Sequence, residues 1–449
     1  MYRRVVPSVS LGIVTLSVLG LTAASTAAQS SDGVQQQPPP ASEPAHQDDM
    51  QHMQMDHDHE MFMVPAREGS GTSWLPDETP MYAIHRQAGD WTVMGHGNLF
   101  LQYLHDSGDR GSEQFGGINW FMGMADRKVG NGHLGFRGML SLEPWTIRGC
   151  GYPDLLASGE VCNGEAIHDR QHPHDLFMEL AATYDRPLAG DVRWQVYGGP
   201  VGEPALGPTA FPHRISAMPS PLAPITHHWL DATHITYGVA TAGVYGKRWK
   251  AEASVFNGRE PDEDRTNFDF GAMDSYSGRL WFLPTNRWAL QVSAGHLAEA
   301  EAGHDGGSRI GVDRVTASMT YHRKLREGSI WASTVAWGRN QEPDNDATNA
   351  LLAETNLTLN ERDTWFGRFD LSQKSGHDLA IDSHDRFTVA KLQAGYTRYR
   401  SAWNGLKPGV GAGLSAGIVP DALKSVYGSR VNVGFGVFVT LRPAEMAVK

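Results

Sequence analysis

Two parts of the chain carry residues whose types and spacing suit metal chemistry. The first is "DMQHMQMDHDHEMFM", residues 49–63, with thioethers at Met50, Met53, Met55, Met61 and Met63 and imidazoles at His52, His57 and His59. Five of the sixteen methionines fall in this short segment, which is uncommon for a tether. Thioether is a soft donor suited to copper(I), and imidazole serves copper and zinc. A flexible chain offering both can form a low-coordination site without a preorganised fold, while Asp56, Asp58 and Glu60 raise the local cation concentration. The bland alternative is a solvated tether whose His and Met are incidental.

The second part is split. "IHDRQHPHDLF" places His168, His172 and His174 beside Asp169 and Asp175, and "THHWLDATH" places His227, His228 and His234 beside Asp231. Three histidines with a carboxylate in reach make a zinc, copper or iron set. The structural alternative is that these side chains satisfy carbonyls of a folded-in loop. No G-x-S-x-G elbow or comparable nucleophile–base pairing stands out, so an enzyme is not expected.

What must position these residues is a long series of strands. In "WTVMGHGNLFLQY", Trp91, Val93, Leu99, Leu101 and Tyr103 share one face, while Thr92, His96, Asn98 and Gln102 share the other. "VNVGFGVFVTL" and "LLAETNLTLN" alternate in the same way. Period 2 over about ten residues, many times over, is a strand signal. Sandwich strands are usually shorter, about 5–6 residues; barrel strands that cross a membrane need about 9–11.

Loop lengths separate the two folds. About sixteen strands (14–18) are expected, starting near residues 91, 115, 132, 175, 191, 231, 248, 275, 287, 313, 329, 347, 363, 386, 405 and 429. Short connections such as "RPLAG", "YGKR" and "LPTNR" follow every second strand, and longer acidic, Gly- and Pro-bearing loops fall between them. Short periplasmic turns and long external loops are the outer-membrane pattern. The fold class expected is therefore all-β, a transmembrane antiparallel up-and-down barrel over residues 89–443. The histidine groups then lie at the external rim, one strand apart. "GPTAFPHRISAMPSPLAPI", residues 207–225, is too apolar and Pro-rich for an exposed loop and is expected to fold inward as a plug or constriction. Alternation also turns Lys250, Glu252, Arg279, Glu354, Arg368 and Asp370 toward the lumen, as any polar-lined barrel would. An aromatic girdle is expected from Trp91, Tyr103, Tyr184, Tyr245, Trp249, Trp281, Trp288, Trp337 and Trp365.

The ends fit export. "MYRRVVPSVSLGIVTLSVLGLTAASTAAQ" has a basic start, an apolar run and small residues, the layout of a secretory signal over residues 1–28. Losing Arg3 and Arg4 takes the formal charge from −12 to −14, which excludes nucleic acid as a natural partner. Residues 29–88 read as a flexible Met/His-rich arm, low in apolar residues and facing the periplasm. Fifty glycines with 13 Trp, 13 Tyr and 16 Phe sit oddly with the negative mean hydropathy of a soluble protein and suit a barrel. In an exported chain, Cys150 and Cys162 read most simply as one loop disulfide.

The phrase "HMQMDHDHEM", behind a signal sequence and ahead of a barrel, resembles the amino-terminal region of the outer-membrane copper resistance protein B family. That resemblance implies copper as the ion and Met50, His52, Met53, Met55, His57, His59, Met61 and Met63 as its ligands. The expectation is an outer-membrane barrel, without organic cofactor, that binds or passes transition-metal ions, copper first. Its partners would be the outer-membrane bilayer, metal ions and periplasmic metal-handling proteins. The alternative is a porin-like channel for small solutes, and a third reading is a metal-dependent outer-membrane enzyme.

Overall fold

The computed structural model describes residues 67–302, 309–343 and 346–446. The signal sequence and the Met/His segment 49–63 lie outside the described residues. Among the described residues, nineteen strands follow one another. The first ten are β1 (Ile84–Ala88), β2 (Trp91–Asp106), β3 (Glu113–Val129), β4 (Gly132–Leu140), β5 (Tyr152–Cys162), β6 (Glu165–Gln171), β7 (Phe177–Ala189), β8 (Val192–Gly202), β9 (Thr236–Tyr245) and β10 (Trp249–Phe256). The rest are β11 (Ser275–Thr285), β12 (Trp288–Ala302), β13 (Arg309–Arg326), β14 (Ser329–Gln341), β15 (Thr348–Leu359), β16 (Asp363–Ser375), β17 (Arg386–Tyr399), β18 (Leu406–Ile418) and β19 (Val431–Pro443).

All pairings are antiparallel, and β19 returns to β2 (Leu441 opposite Leu99), which closes the ring. Of the 17 strands in this sheet, β1 pairs only with the start of β2, so sixteen form the barrel. β5 and β6 form a separate hairpin. Closure removes every edge, the one sheet solution that leaves no backbone group unpaired in lipid.

Alternation holds along the strands. In β19, each residue from Val431 to Val439 in steps of two is exposed, and the intervening ones are buried. Outward sit Leu101, Phe121, Phe282, Val292, Val410 and Val433. So large an apolar outer surface would be a liability in water and is what a barrel presents to lipid. Two aromatics expected in the girdle do not belong to it. Trp281 points inward and is buried against Trp74, and Tyr245 sets its hydroxyl on Asp185 and its ring edge-on to Trp74. Trp249, Trp337 and Trp365 do face outward.

The turns divide as expected. Tight connections join β3–β4, β7–β8, β9–β10, β11–β12, β13–β14, β15–β16 and β17–β18 at one end. Residues 67–88, expected as part of the arm, are instead packed at that same end. Trp74 and Leu75 are buried, Arg67 donates to the Lys247 carbonyl, and the Glu78 carboxylate takes the Arg287 guanidinium at 2.8 Å. Polar composition was a poor guide here, because Gly- and Ser-rich chain can satisfy buried charges with its own backbone. The chain end joins this cap, with Tyr82 opposite Glu445 and the Met446 amide on the Met81 carbonyl at 2.9 Å.

A charge on the outer face tests the membrane assignment. Val437, midway along β19 and 49% exposed, is opposite Tyr103 on the outer surface. Val437→Arg should lower the refolding stability in lipid vesicles by about 2–4 kcal/mol. Denaturant titration in vesicles measures it, and no loss would place this face in water.

Candidate functional site

The lumen is filled by protein. Three in-folded segments meet the inward-facing charges of the strands, and this meeting builds the site. The stretch between β8 and β9 is held by Arg214, whose Nε donates to Glu354 (2.7 Å) and whose Nη1 donates to Asp231 (2.6 Å) and the Thr209 carbonyl (2.8 Å). Glu354 also accepts from Ser216 and Arg368, and Asp370 accepts from Thr226 at 2.7 Å. The β5–β6 hairpin is tied by Asp154 to Lys391 and by Ser158 to Lys374. From the other end, Thr72 meets Lys250 and Arg279, which Glu252 and Glu203 balance. The inward charges read from the sequence thus act as anchor points, and 207–225 does fold inward.

Five histidines converge on this filling. Ring centroids lie 5.8 Å apart for His172–His228, 5.3 Å for His227–His228, 5.1 Å for His227–His234 and 5.4 Å for His174–His234. Phe211 packs edge-on against His227 and His234 and beside His174. His227 and His228 sit on one helical turn, α1 (His227–Leu230), capped by Asp231. His172 and His174 occupy the lead-in to β7, where Pro173 keeps the chain extended.

Each ring is oriented through Nδ1. His227 is held by Asp231 (2.8 Å), His228 by Glu260 (3.2 Å), His174 by Glu143 (3.0 Å), His234 by the Asp231 carbonyl (2.9 Å) and His172 by the Pro173 carbonyl (3.2 Å). The Nε2 atoms of His172, His174, His228 and His234 are buried with no aligned hydrogen-bond partner among the described residues. His172 Nε2 is 3.3 Å from Glu160 but out of hydrogen-bond alignment. Carboxylate or carbonyl on one nitrogen and a free second nitrogen is the outer-shell arrangement of histidine metal ligands.

Charge state sorts four of the five. Burial lowers His227 to about 4 despite Asp231, and lowers His172 and His234 well below the ordinary value. These rings are neutral at neutral pH, the form that binds metal. Burial acts the same way on His174, but Glu143 outweighs it and raises the pKa, so His174 is a charge partner and a poorer ligand. Ring nitrogens of His172, His227 and His228 lie within 4.8 Å of one another. A tetrahedral ion bound to three imidazoles needs them roughly 3.3 Å apart, so the rings would close by at most about 1.5 Å.

The two histidine groups do meet, buried at the loop end of the barrel, where the Asn340 amide near the end of β14 donates to the His228 carbonyl, because the loops that carry them fold in and are bolted there. His168 is left out. Its ring, partly exposed, turns to Asp169 and lies beside Arg110. Asp175 serves Arg265, and burial raises it to about 7. Asp231 is an orienting residue, its carboxylate held ionised by Arg214 against the cost of burial. Cys150 and Cys162 are joined, with Cα atoms 5.7 Å apart. Sequence reasoning missed Glu143 and Glu260, which orient rings, Glu160, whose carboxylate lies beside His172, and His213, which sits in the inward stretch. Nothing local marks these, since only the fold brings them to the histidines.

No family model and no curated protein matches the chain, so the copper resistance protein B resemblance rests on the arm's residues alone. Solved structures that align with it include outer-membrane proteins and porins. They include the OmpT outer-membrane protein of Vibrio cholerae (8% identity, 80% of this chain and 99% of that one, TM-score 0.44) and an anion-selective porin of Comamonas acidovorans (9%, 79% and 99%, 0.48). A third is the outer-membrane channel DcaP of Acinetobacter baumannii (7%, 80% and 99%, 0.46).

Removing the main anchor should loosen the filling. Arg214→Ala leaves Glu354 and Asp231 buried and short of a partner, a loss of about 3–5 kcal/mol. Planar-bilayer recordings should show larger conductance than the parent, with faster protease cutting inside residues 203–235; unchanged conductance and cutting would deny the anchor role.

Proposed function

We propose that this outer-membrane barrel holds transition-metal ions in its lumen as a step in their passage across the membrane, with copper as the first candidate. The observation that carries this is the trio His172, His227 and His228, all buried and each fixed through Nδ1, with His172 and His227 held neutral by burial. The lumen around it is narrow. At the loop end, a cavity of about 40 Å³ is lined by Glu160, His228, Glu260, Glu301 and Asp378, room for an ion with little water. The acidic lining draws cations toward the trio. Under this proposal the Met/His arm, residues 49–63, collects the same ions on the periplasmic side, and periplasmic metal-handling proteins receive or deliver them.

The architecture by itself fits the second reading, a porin-like channel for small solutes, at least as well. The sixteen-strand closed barrel favours it, as do lumen charges of both signs. The in-folded segments then act as a constriction that selects by size.

Metal analysis of the full-length protein separates the two. Loaded with Zn(II) or Cu(II), the parent should carry one equivalent that is lost in the His172→Gln, His227→Gln, His228→Gln variant and retained when residues 49–63 are deleted. An open conductance indifferent to both changes, with no such equivalent, would leave the porin reading. A finer test uses Gly159, which has φ +123° and no room for a side chain: a Cβ there would come 2.1 Å from His228 Nε2. Gly159→Ala should push His228 aside and weaken Zn(II) binding at least tenfold in a competition titration.

A further inference from the structure

A second ligand set lies in the lumen near the short-turn end, and it shares no residue with the histidine trio. Four neighbouring strands turn methionine inward: Met94 on β2, Met122 and Met124 on β3, Met139 on β4 and Met178 on β7, all nearly or fully buried. Met81, from the packed N-terminal segment, lies against them. Barrel lumens are ordinarily polar, and thioethers on adjacent strands are a departure from that rule.

Two histidines complete the set. His96 Nε2 is 3.0 Å from the Met122 sulfur, and the His213 ring centroid is 5.5 Å from that of His96. Trp120 walls the site, 5.1 Å from His96 and 4.6 Å from His213. A cavity of about 80 Å³ opens between Met81, Met94, Met122, Met218, His96 and His213. Glu68 also reaches its wall, but is taken by Arg137. The side-chain donors that cluster here are the methionine sulfurs and the imidazoles of His96 and His213, with the Thr79 hydroxyl already on His322.

Ligand chemistry selects the ion. A hard or strongly charged cation favours anionic oxygen, and the one carboxylate in this lining, Glu68, is already paired with Arg137. Thioether and imidazole without anionic donors suit a soft ion of low charge and low coordination number. A plain methionine-rich core would fill its space with no cavity and would not place an imidazole nitrogen against a sulfur. We propose that this pocket is a binding site for a soft monovalent cation, Cu(I) or its analogue Ag(I). The site lies beneath the N-terminal cap, so Met81 is both wall and lid.

Silver is the practical probe, since it needs no reductant. Full-length protein in detergent is titrated with Ag(I), alongside the Met94→Leu, Met122→Leu double variant, which preserves volume. The double variant should lose one Ag(I) equivalent while sites in the arm remain, and its Zn(II) loading should be unchanged. The same Ag(I) stoichiometry and affinity in parent and variant would overturn the proposal. Should the double variant fail to form a heat-modifiable barrel, His96→Gln replaces it, with at least a tenfold loss of Ag(I) affinity expected and no loss again overturning the site. His172→Gln with His227→Gln should leave Ag(I) binding intact, so failure of the histidine trio and failure of this pocket are read separately.

Discussion

The rest of the structure depends on Arg214. Its guanidinium bridges Glu354 on the barrel wall and Asp231 in the in-folded stretch, and all three are almost wholly buried. Buried ions are costly, and the cost is met here only because every charge has a partner fixed on a different element. Glu354 is shared with Arg368, and Asp231 also orients His227. One arginine therefore sets the position of a loop, the state of a carboxylate and the direction of a ring. The histidine site is a by-product of the same bonds that fill the lumen.

The barrel was legible because its two signals are local. Alternation is written along each strand, and β19 follows it residue by residue. Loop asymmetry is written between strands, and it located the sixteen barrel strands to within about five residues of where the structure starts them. The inward turn of 207–225 was also readable, since apolar and Pro-rich chain has no reason to stay in water. The candidate site was legible only in its ligand types. That His172 and His227 meet depends on where their loops fold, which composition does not say.

The remaining misreadings share one cause. Residues 67–88 looked like arm because they are poor in apolar groups, but backbone carbonyls and hydroxyls are what Lys250 and Arg279 needed. Trp281 looked like a girdle residue because it stands near a strand end, but parity puts it on the Arg279 face. The methionines of β2 and β3 were missed for the same reason: the inward face was read as polar, so Met94, Met122 and Met124 were not read with His96. In a barrel whose lumen is filled, inward residues obey the rules of a protein core as well as those of a pore.

The seam between β2 and β19 bears on assembly. The contact of Thr440 with Asn98, at 3.0 Å, joins positions 342 residues apart, so the ring stays open until the last strand is made. Pairings so remote in sequence form slowly. The cap of residues 67–83 lies beside that seam, with Met81 already bonded to Met446. Zipping the last strand therefore also shuts the short-turn end. Whatever belongs in that end of the lumen, side chain or ion, has its widest access while the chain is still being closed.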